Sequence, residues 1–574
     1  MSRSTVVPMP ARITRPKYML KSSSREVRFD STNFRAVAVC ARRLPALLAF
    51  VLILLGGNNL PGAFAQQRGT QKLPSPAKIV GDYLKAAGGK KRQAAVRDAT
   101  YEWSVEQQGA GVAQAGGTAR TFMKFPASTR TDITLERGET SAAANARSAW
   151  LRRDDGDLRT LTSTEANIAR LLSALDAGRL VDYKKQDVLA RTVEFSDGGN
   201  YLEPAYVVEF SRRNGARLNY WFGAKSKLPL QVTDDSRQLT IRYKDYRATE
   251  NGLLEPHRVE IKTRDAEMLA LTLKGVRYNT GLADALFEPP GDGSLNISEL
   301  LRAVARNQEQ VDLRVGDYTF TRTETEREID DKGVVKKEKT FVREIYPVAG
   351  GGSVAKLISE DGVPLSAERA AKEEKRVGEA LEKLARENQK RMEREARERA
   401  ERTRKQGASG NSSEDENVGI GLFLRACEFV SPRRERFHER DAIVFDFRPR
   451  PNFKPANRGE SFVSKLTGVV WIDPVDKQVM RLEARLAEGF KVGGGLVASV
   501  RPGSAIVLEQ TRLADGVWLP RFEQINASAK ILLFAGFRLD AIREYSNYRR
   551  FSTNVGDAKV ESPPQPLTPP PDER

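Results

Sequence analysis

The feature that most constrains this chain is a run of strand signals from Leu218 to Pro290 that recurs, diverged, near the C-terminus. Gly252-Leu253-Leu254-Glu255-Pro256-His257-Arg258-Val259-Glu260-Ile261 aligns without gaps to Gly516-Val517-Trp518-Leu519-Pro520-Arg521-Phe522-Glu523-Gln524-Ile525. Upstream, Tyr220-Trp221-Phe222-Gly223 with Leu228-Pro229-Leu230 corresponds to Val470-Trp471-Ile472-Asp473 with Val479-Met480-Arg481. Tyr206 to Phe210 matches Ala442 to Phe447, and Leu269 to Tyr278 matches Ile531 to Leu539. Four strands in a shared order imply two units of one fold, and 574 residues suffice for each to bury a core.

Around these runs the hydrophobic period switches between strand and helix. Tyr101, Trp103 and Val105 alternate on one side of a strand. Thr121 to Pro126, carrying Phe122, and Ala149 to Arg152, carrying Trp150, read as further strands. Ile79, Val80, Tyr83, Leu84 and Ala87 share one helical face, stopped by Gly88-Gly89. A second helix opens at Ser163 or Thr164 and carries Ile168, Leu171, Leu172 and Leu175. Strands spaced by roughly ten to fifteen residues then form a meander, so the fold class is α+β with a large antiparallel sheet.

Residues 1–65 form a leader: a basic segment, the apolar run Leu44 to Leu55, and the small-x-small site Ala63-Phe64-Ala65. Those are the parts of a signal peptide, with an uncleaved N-terminal anchor as the other reading. Gln66 stands where a lipoprotein would need Cys. The reading is a periplasmic or otherwise exported protein, soluble after cleavage, with no membrane span remaining. A linker over 66–75 leads to a first unit at 76–290. The second, 297–555, is interrupted by a charged helix at 366–406 and a flexible linker at 407–417. Residues 556–574 form a Pro-rich disordered tail.

The strand with Trp221, the Leu228-Pro229 strand, the Gly252-x-x-x-Pro256 strand and the terminal Leu286-Phe287-Glu288-Pro289-Pro290 resemble the periplasmic lipoprotein carrier superfamily, LolA/LolB-like and including outer-membrane lipoprotein-sorting proteins. The resemblance covers about 76–290 and, more weakly, 297–551. It implies two strongly curved antiparallel sheets, each an incomplete barrel with plugging helices, and a hydrophobic cavity for lipid or lipoprotein acyl chains. The duplication and the charged insertion depart from the single-domain carrier.

Charge and chemistry narrow the remaining classes. Of 94 Lys and Arg against 76 Asp and Glu, ten bases and two acids lie in residues 1–65, leaving a net +10 beyond them. No interleaved aromatic and basic run, no Cys/His finger and no recognition helix accompanies it, which disfavours nucleic acid. The two histidines, His257 and His438, have no neighbours at metal-ligand spacing, so no metal and no cofactor is expected. Cys427 and His438 form a formal nucleophile pair with no orienting group in their flanks. Gly350 to Ser353 and Gly493 to Gly495 lack the Lys-Ser/Thr of a phosphate loop. The chain reads as a non-enzyme.

The candidate cavity residues are Tyr101, Trp103, Phe122, Trp150, Tyr206, Tyr220 and Phe222 from strands, with Ile168 and Leu172 from the lid helix. Against each stands an ordinary core role, because strand alternation buries one face in any case. Two functions follow. One is a carrier of acyl chains held by apolar burial alone. The other is an envelope regulatory module that contacts a partner protein through 366–406.

Overall fold

The structure, a computed structural model, describes residues 73–108, 116–198, 203–234, 239–263, 268–314, 317–329, 335–348, 351–405, 418–492, 498–531 and 535–550. The leader, most of the 66–75 linker, the 407–417 linker and the 556–574 tail lie outside them. Among the described residues no helix is long and apolar enough to cross a membrane.

The chain begins with helix α1 (Pro76–Ala86), where Ser75 accepts from the Lys78 amide at 3.3 Å and Pro76 takes the first turn. Ile79, Val80 and Leu84 are its buried stripe. Gly88 ends it at φ +107, and a side chain there would run into the Gly252 carbonyl and Leu253. A short α2 (Lys90–Ala95) follows.

The first sheet has thirteen antiparallel strands: β1 (Asp98–Gln108), β2 (Gly116–Lys124), β3 (Ser128–Leu135), β4 (Gly138–Ala144), β5 (Ala149–Arg152), β6 (Leu158–Thr160), β7 (Leu189–Ser196), β8 (Ala205–Ser211), β9 (Arg217–Gly223), β10 (Pro229–Asp234), β11 (Leu239–Ala248), β12 (Leu254–Thr263) and β13 (Met268–Tyr278). Two meanders, β1 to β6 and β7 to β13, join by pairing β1 with β13, which leaves β6 and β7 as the edges. Helix α3 (Ser163–Ala177) links those edges and touches β2 to β5 and also β9. In a flat sheet β3 and β9 would stand roughly 34 Å apart at about 4.8 Å per strand. One helix reaches both, so the sheet curls around it without closing.

The second sheet repeats that plan. Helix α4 (Ile297–Arg314) precedes β14 (Tyr318–Ile329), β15 (Val335–Pro347), β16 (Ser353–Glu360) and β17 (Val363–Pro364). Helix α5 (Ala367–Lys405) and helix α6 (Val418–Ala426) then lead to β18 (Cys427–Phe437) and β19 (Arg440–Pro449). After α7 (Arg458–Val463) come β20 (Leu466–Asp473), β21 (Gln478–Leu486), β22 (Phe490–Val492), β23 (Ala498–Val500), β24 (Ala505–Arg512), β25 (Trp518–Ile531) and β26 (Ala535–Arg550). Its first and last strands, β14 and β26, pair at the middle as β1 and β13 do. Leu300, Leu301 and Val304 of α4 and Leu422 of α6 plug this sheet against Phe445, Phe447 and Val470.

The repeated sequence blocks make repeated turns. Gly252 (φ +69) and Gly516 (φ +84) each donate to a carbonyl three residues back, and each turn is closed by a second bond, Thr249 to Leu253 and Leu513 to Val517. Lys227 (φ +64) and Lys477 (φ +51) close matching hairpins onto Gly223 and Asp473. One detail of the alignment shifts. Pro229 pairs with Phe222 and Val479 with Ile472, so Pro229, not Leu228, is the counterpart of Val479; irregularities in both ladders hid the register.

Helix α5 is a single charged helix, but it is not free along its length. Val377 and Asn388 are buried, Asn388 donates to the Gly351 carbonyl at 2.7 Å, and Glu373 accepts from the Leu357 amide at 2.7 Å. The start of α3 also differs from expectation. No side chain of its own caps it; instead Glu483 of the second sheet accepts from the Ser163 amide at 3.0 Å, a carboxylate at the positive end of the helix.

Candidate functional site

The concave face of the first sheet, covered by α1 and α3, gathers most of the residues singled out from sequence. Tyr101, Trp103, Tyr220 and Phe222 belong to one buried cluster, with Ile168, Leu172 and Tyr206 half-buried against it. Tyr220 and Phe222 stack at 6.1 Å, and Tyr83 of α1 tilts over Phe222 at 5.8 Å. Trp150 and Phe122 lie apart from this cluster. Trp150 is fully buried with its indole donating to the Phe287 carbonyl at 3.2 Å. Phe122 is half-buried under the Arg120 guanidinium.

A polar floor lies within this apolar wall. Arg179, just past α3, binds Glu255 of β12 at 2.6 Å, and both side chains are buried. Tyr278 donates to Glu255 at 2.7 Å, while the Tyr101 hydroxyl donates to Glu255 at 3.3 Å and accepts from Arg179 at 2.9 Å. Every charge in this group has hydrogen-bond partners, the condition under which a buried pair is tolerated.

Asp176 is different. Its carboxyl is half-buried on α3, and the only hydrogen bond it has among the described residues is a long one from the Tyr220 hydroxyl, 3.5 Å. Burial raises its pKa to about 7, against weaker opposing pulls from Tyr220 and Arg179. The carboxylate in turn raises the phenols of Tyr83 and Tyr243, both pushed up first by burial, Tyr83 to about 12. Neither Tyr83 nor Tyr243 has a hydrogen-bond partner among the described residues, and both are half-buried. The result is a group of one carboxyl with a raised pKa and two unpartnered phenols set among aromatic and aliphatic side chains.

Sequence reading overlooked Asp176, although it left a trace. Ile168, Leu172 and Asp176 fall at i, i+4 and i+8, so a carboxylate continues an apolar helical stripe. Such an arrangement can hold the carbonyl or ester end of an apolar molecule. The donors here are carboxyl and phenol groups, and among the described residues none of them hydrogen-bonds to a Ser, Cys or His as a base would to its nucleophile.

The other chemical candidates are separated by the fold. Cys427 is buried in the core of the second unit, its thiol raised to about 12 by burial. His438 is largely exposed and bonds Glu509 at 3.0 Å. Among the described residues no group of three His, Cys, Asp or Glu side chains is placed to hold a metal ion.

No family model and no curated protein matches the chain. Among solved structures it is similar to an outer membrane lipoprotein-sorting protein domain from Vibrio parahaemolyticus, with 12% identity over 36% of this chain and 97% of that one, at a TM-score of 0.26. It is similar to a LolA superfamily protein from Nitrosomonas europaea, with 15% identity over 38% of this chain and 99% of the other, at a TM-score of 0.27. The MucA/MucB complex of Pseudomonas aeruginosa matches with 9% identity over 83% of this chain and 99% of that one, at a TM-score of 0.14.

Proposed function

We propose that this chain is an exported binding protein that takes the acyl chain of a lipid or lipoprotein into the concave face of its first sheet. It performs no covalent chemistry. The two sheets are copies of one ancestral unit, 76–290 and 297–555, in the second of which a charged helix precedes the second meander. The observation that carries the reading is this group: the Tyr83 and Tyr243 hydroxyls, with no hydrogen-bond partner among the described residues, and Asp176, held only by one long bond from Tyr220, all lie against the apolar cluster of Tyr220, Phe222 and Ile168. An acyl ester or amide supplies both what the wall buries and what the donors lack.

The test is mass spectrometry of organic extracts from the full chain purified out of a periplasmic fraction, repeated for Leu172→Arg. Acylated species are expected with the wild type and not with the variant, which places a charge on the helix face packed against the apolar cluster. Recovery of no acylated molecule from repeated wild-type preparations refutes the proposal.

A further inference from the structure

A second feature lies where the two units meet. The charged face of β21 is turned toward the first unit: Arg481 bonds the Ser163 hydroxyl, and Glu483 takes the Ser163 amide at 3.0 Å. Two residues further along the same face stands Arg485. Across the ladder Arg485 pairs with Ala505 and Ala505 with Asn526, and Asn526 donates to the Arg213 carbonyl at 2.5 Å. This brings the Arg212–Arg213 loop to one end of the row containing Arg485. Arg170 of α3 lies to the other side, two turns beyond Ser163, and donates to the Arg147 carbonyl at 2.9 Å.

The charges at this place do not balance. Arg170, Arg212 and Arg485 have no carboxylate within ion-pair distance among the described residues; Arg170 donates to the Arg147 carbonyl and to Asn167, Arg212 to the Gln186 carbonyl, and the Arg485 guanidinium has no hydrogen bond there. The acids nearby are already engaged. Asp446 accepts from Arg433 at 3.1 Å and from Ser148 at 2.6 Å. Glu483 holds Arg481, Asp187 holds Arg213 and Glu288 holds Arg147. The Nε atoms of Arg147, Arg212 and Arg213 are sealed from water without a hydrogen-bond partner, that of Arg147 lying 3.9 Å from Asp446, an arrangement that costs free energy unless an acceptor is supplied. Burial first, and then the other arginines, lower Arg485 well below the ordinary guanidinium value; Arg212 falls to about 10 for the same reasons.

We infer that Arg170, Arg212 and Arg485 form a binding site for a phosphate-class anion at the junction of the two units. Guanidinium forks match the oxygens of a phosphate mono- or diester in pairs, and one such group would offset about one to two of the three unpaired charges. The anion is either free phosphate or the headgroup of an anionic lipid, and the site does not depend on where an acyl chain lies.

Binding to the full chain in phosphate-free buffer is measured by calorimetry with inorganic phosphate and, separately, with water-soluble dihexanoyl phosphatidic acid. Saturable binding is expected with at least one, weakened at least tenfold in Arg485→Gln and in Arg212→Gln, and unchanged in Lys375→Gln on exposed α5. Binding of both identifies the free anion as sufficient; binding of the lipid alone identifies a headgroup. Thermal melting adds a check on folding, since removing one repelled charge should raise the ligand-free midpoint of Arg485→Gln and abolish its rise with ligand. No saturable binding to the wild type, or equal binding by the arginine variants, overturns the inference.

Discussion

Asp176→Asn gives a stability change whose sign and pH window follow from one buried carboxyl. Its ordinary value is 3.8 and in the folded chain it stands at about 7. Between those values the folded chain keeps a proton that the unfolded chain has released, so stability falls as pH rises and levels off above about 7. A scan from pH 5 to 8.5 covers about two decades of that window, at most about 2.7 kcal/mol at about 1.36 kcal/mol per decade. Because the side chain keeps partial contact with water, we expect roughly 2 kcal/mol. Asparagine has nearly the same shape and does not ionise. Wild type and variant should therefore have similar urea midpoints near pH 5 and diverge by pH 8.5, with the variant the more stable. A wild-type-to-variant difference that is the same at both pH values refutes the assignment of a raised carboxyl at this site.

Two other substitutions test the scaffold. Arg433 is 2% exposed and sits between Glu435 at 2.6 Å, Asp446 at 3.1 Å and the Thr160 hydroxyl; Arg433→Met should destabilise by about 3–5 kcal/mol in urea unfolding, because two carboxylates lose their counter-charge, and adding Glu435→Gln should restore part of that. Gly88 and Gly89 both have positive φ, yet only Gly88 faces the backbone at Gly252. Gly89→Ala should lower stability by about 1 kcal/mol, and Gly88→Ala by clearly more, read as a difference between their urea midpoints.

The parts of the fold legible in the sequence are those in which large apolar residues alternate or repeat with one period. Tyr101, Trp103 and Val105 mark β1, and Ile79, Val80 and Leu84 mark α1, directly. Strands β3 and β4 were not legible: Ser-Thr-Arg-Thr-Asp-Ile-Thr-Leu and Gly-Glu-Thr-Ser-Ala-Ala-Ala carry too little apolar contrast, and they are strands because their neighbours complete the hydrogen-bond ladder. The docking of α5 was hidden for a related reason. Its anchors, Glu373 and Asn388, bind backbone groups of the β16 region, and such contacts leave no hydrophobic period. In the core of the first sheet, the alternating aromatic residues were visible and the polar group among them was not, since Arg179, Glu255 and Tyr101 come together from separations of 76 to 154 residues.

The junction between the units shows the same limit at its strongest. Along β21, Arg481 and Glu483 alternate with Leu482 and Ala484, the pattern of a strand with one wet face. The structure puts that face against the first unit, where Thr160 meets Glu435 and Ser163 meets Glu483 across 275 and 320 residues. A polar contact of this kind adds little stability over an apolar one of equal size, but each group left unpaired is penalised, so it admits few alternative placements. Apolar burial therefore builds the two curved sheets, and the matching of fixed charges sets one against the other. Arg170, Arg212 and Arg485 are the places where that matching is incomplete, and it is there, not in either hydrophobic core, that an ionic ligand would couple the two units.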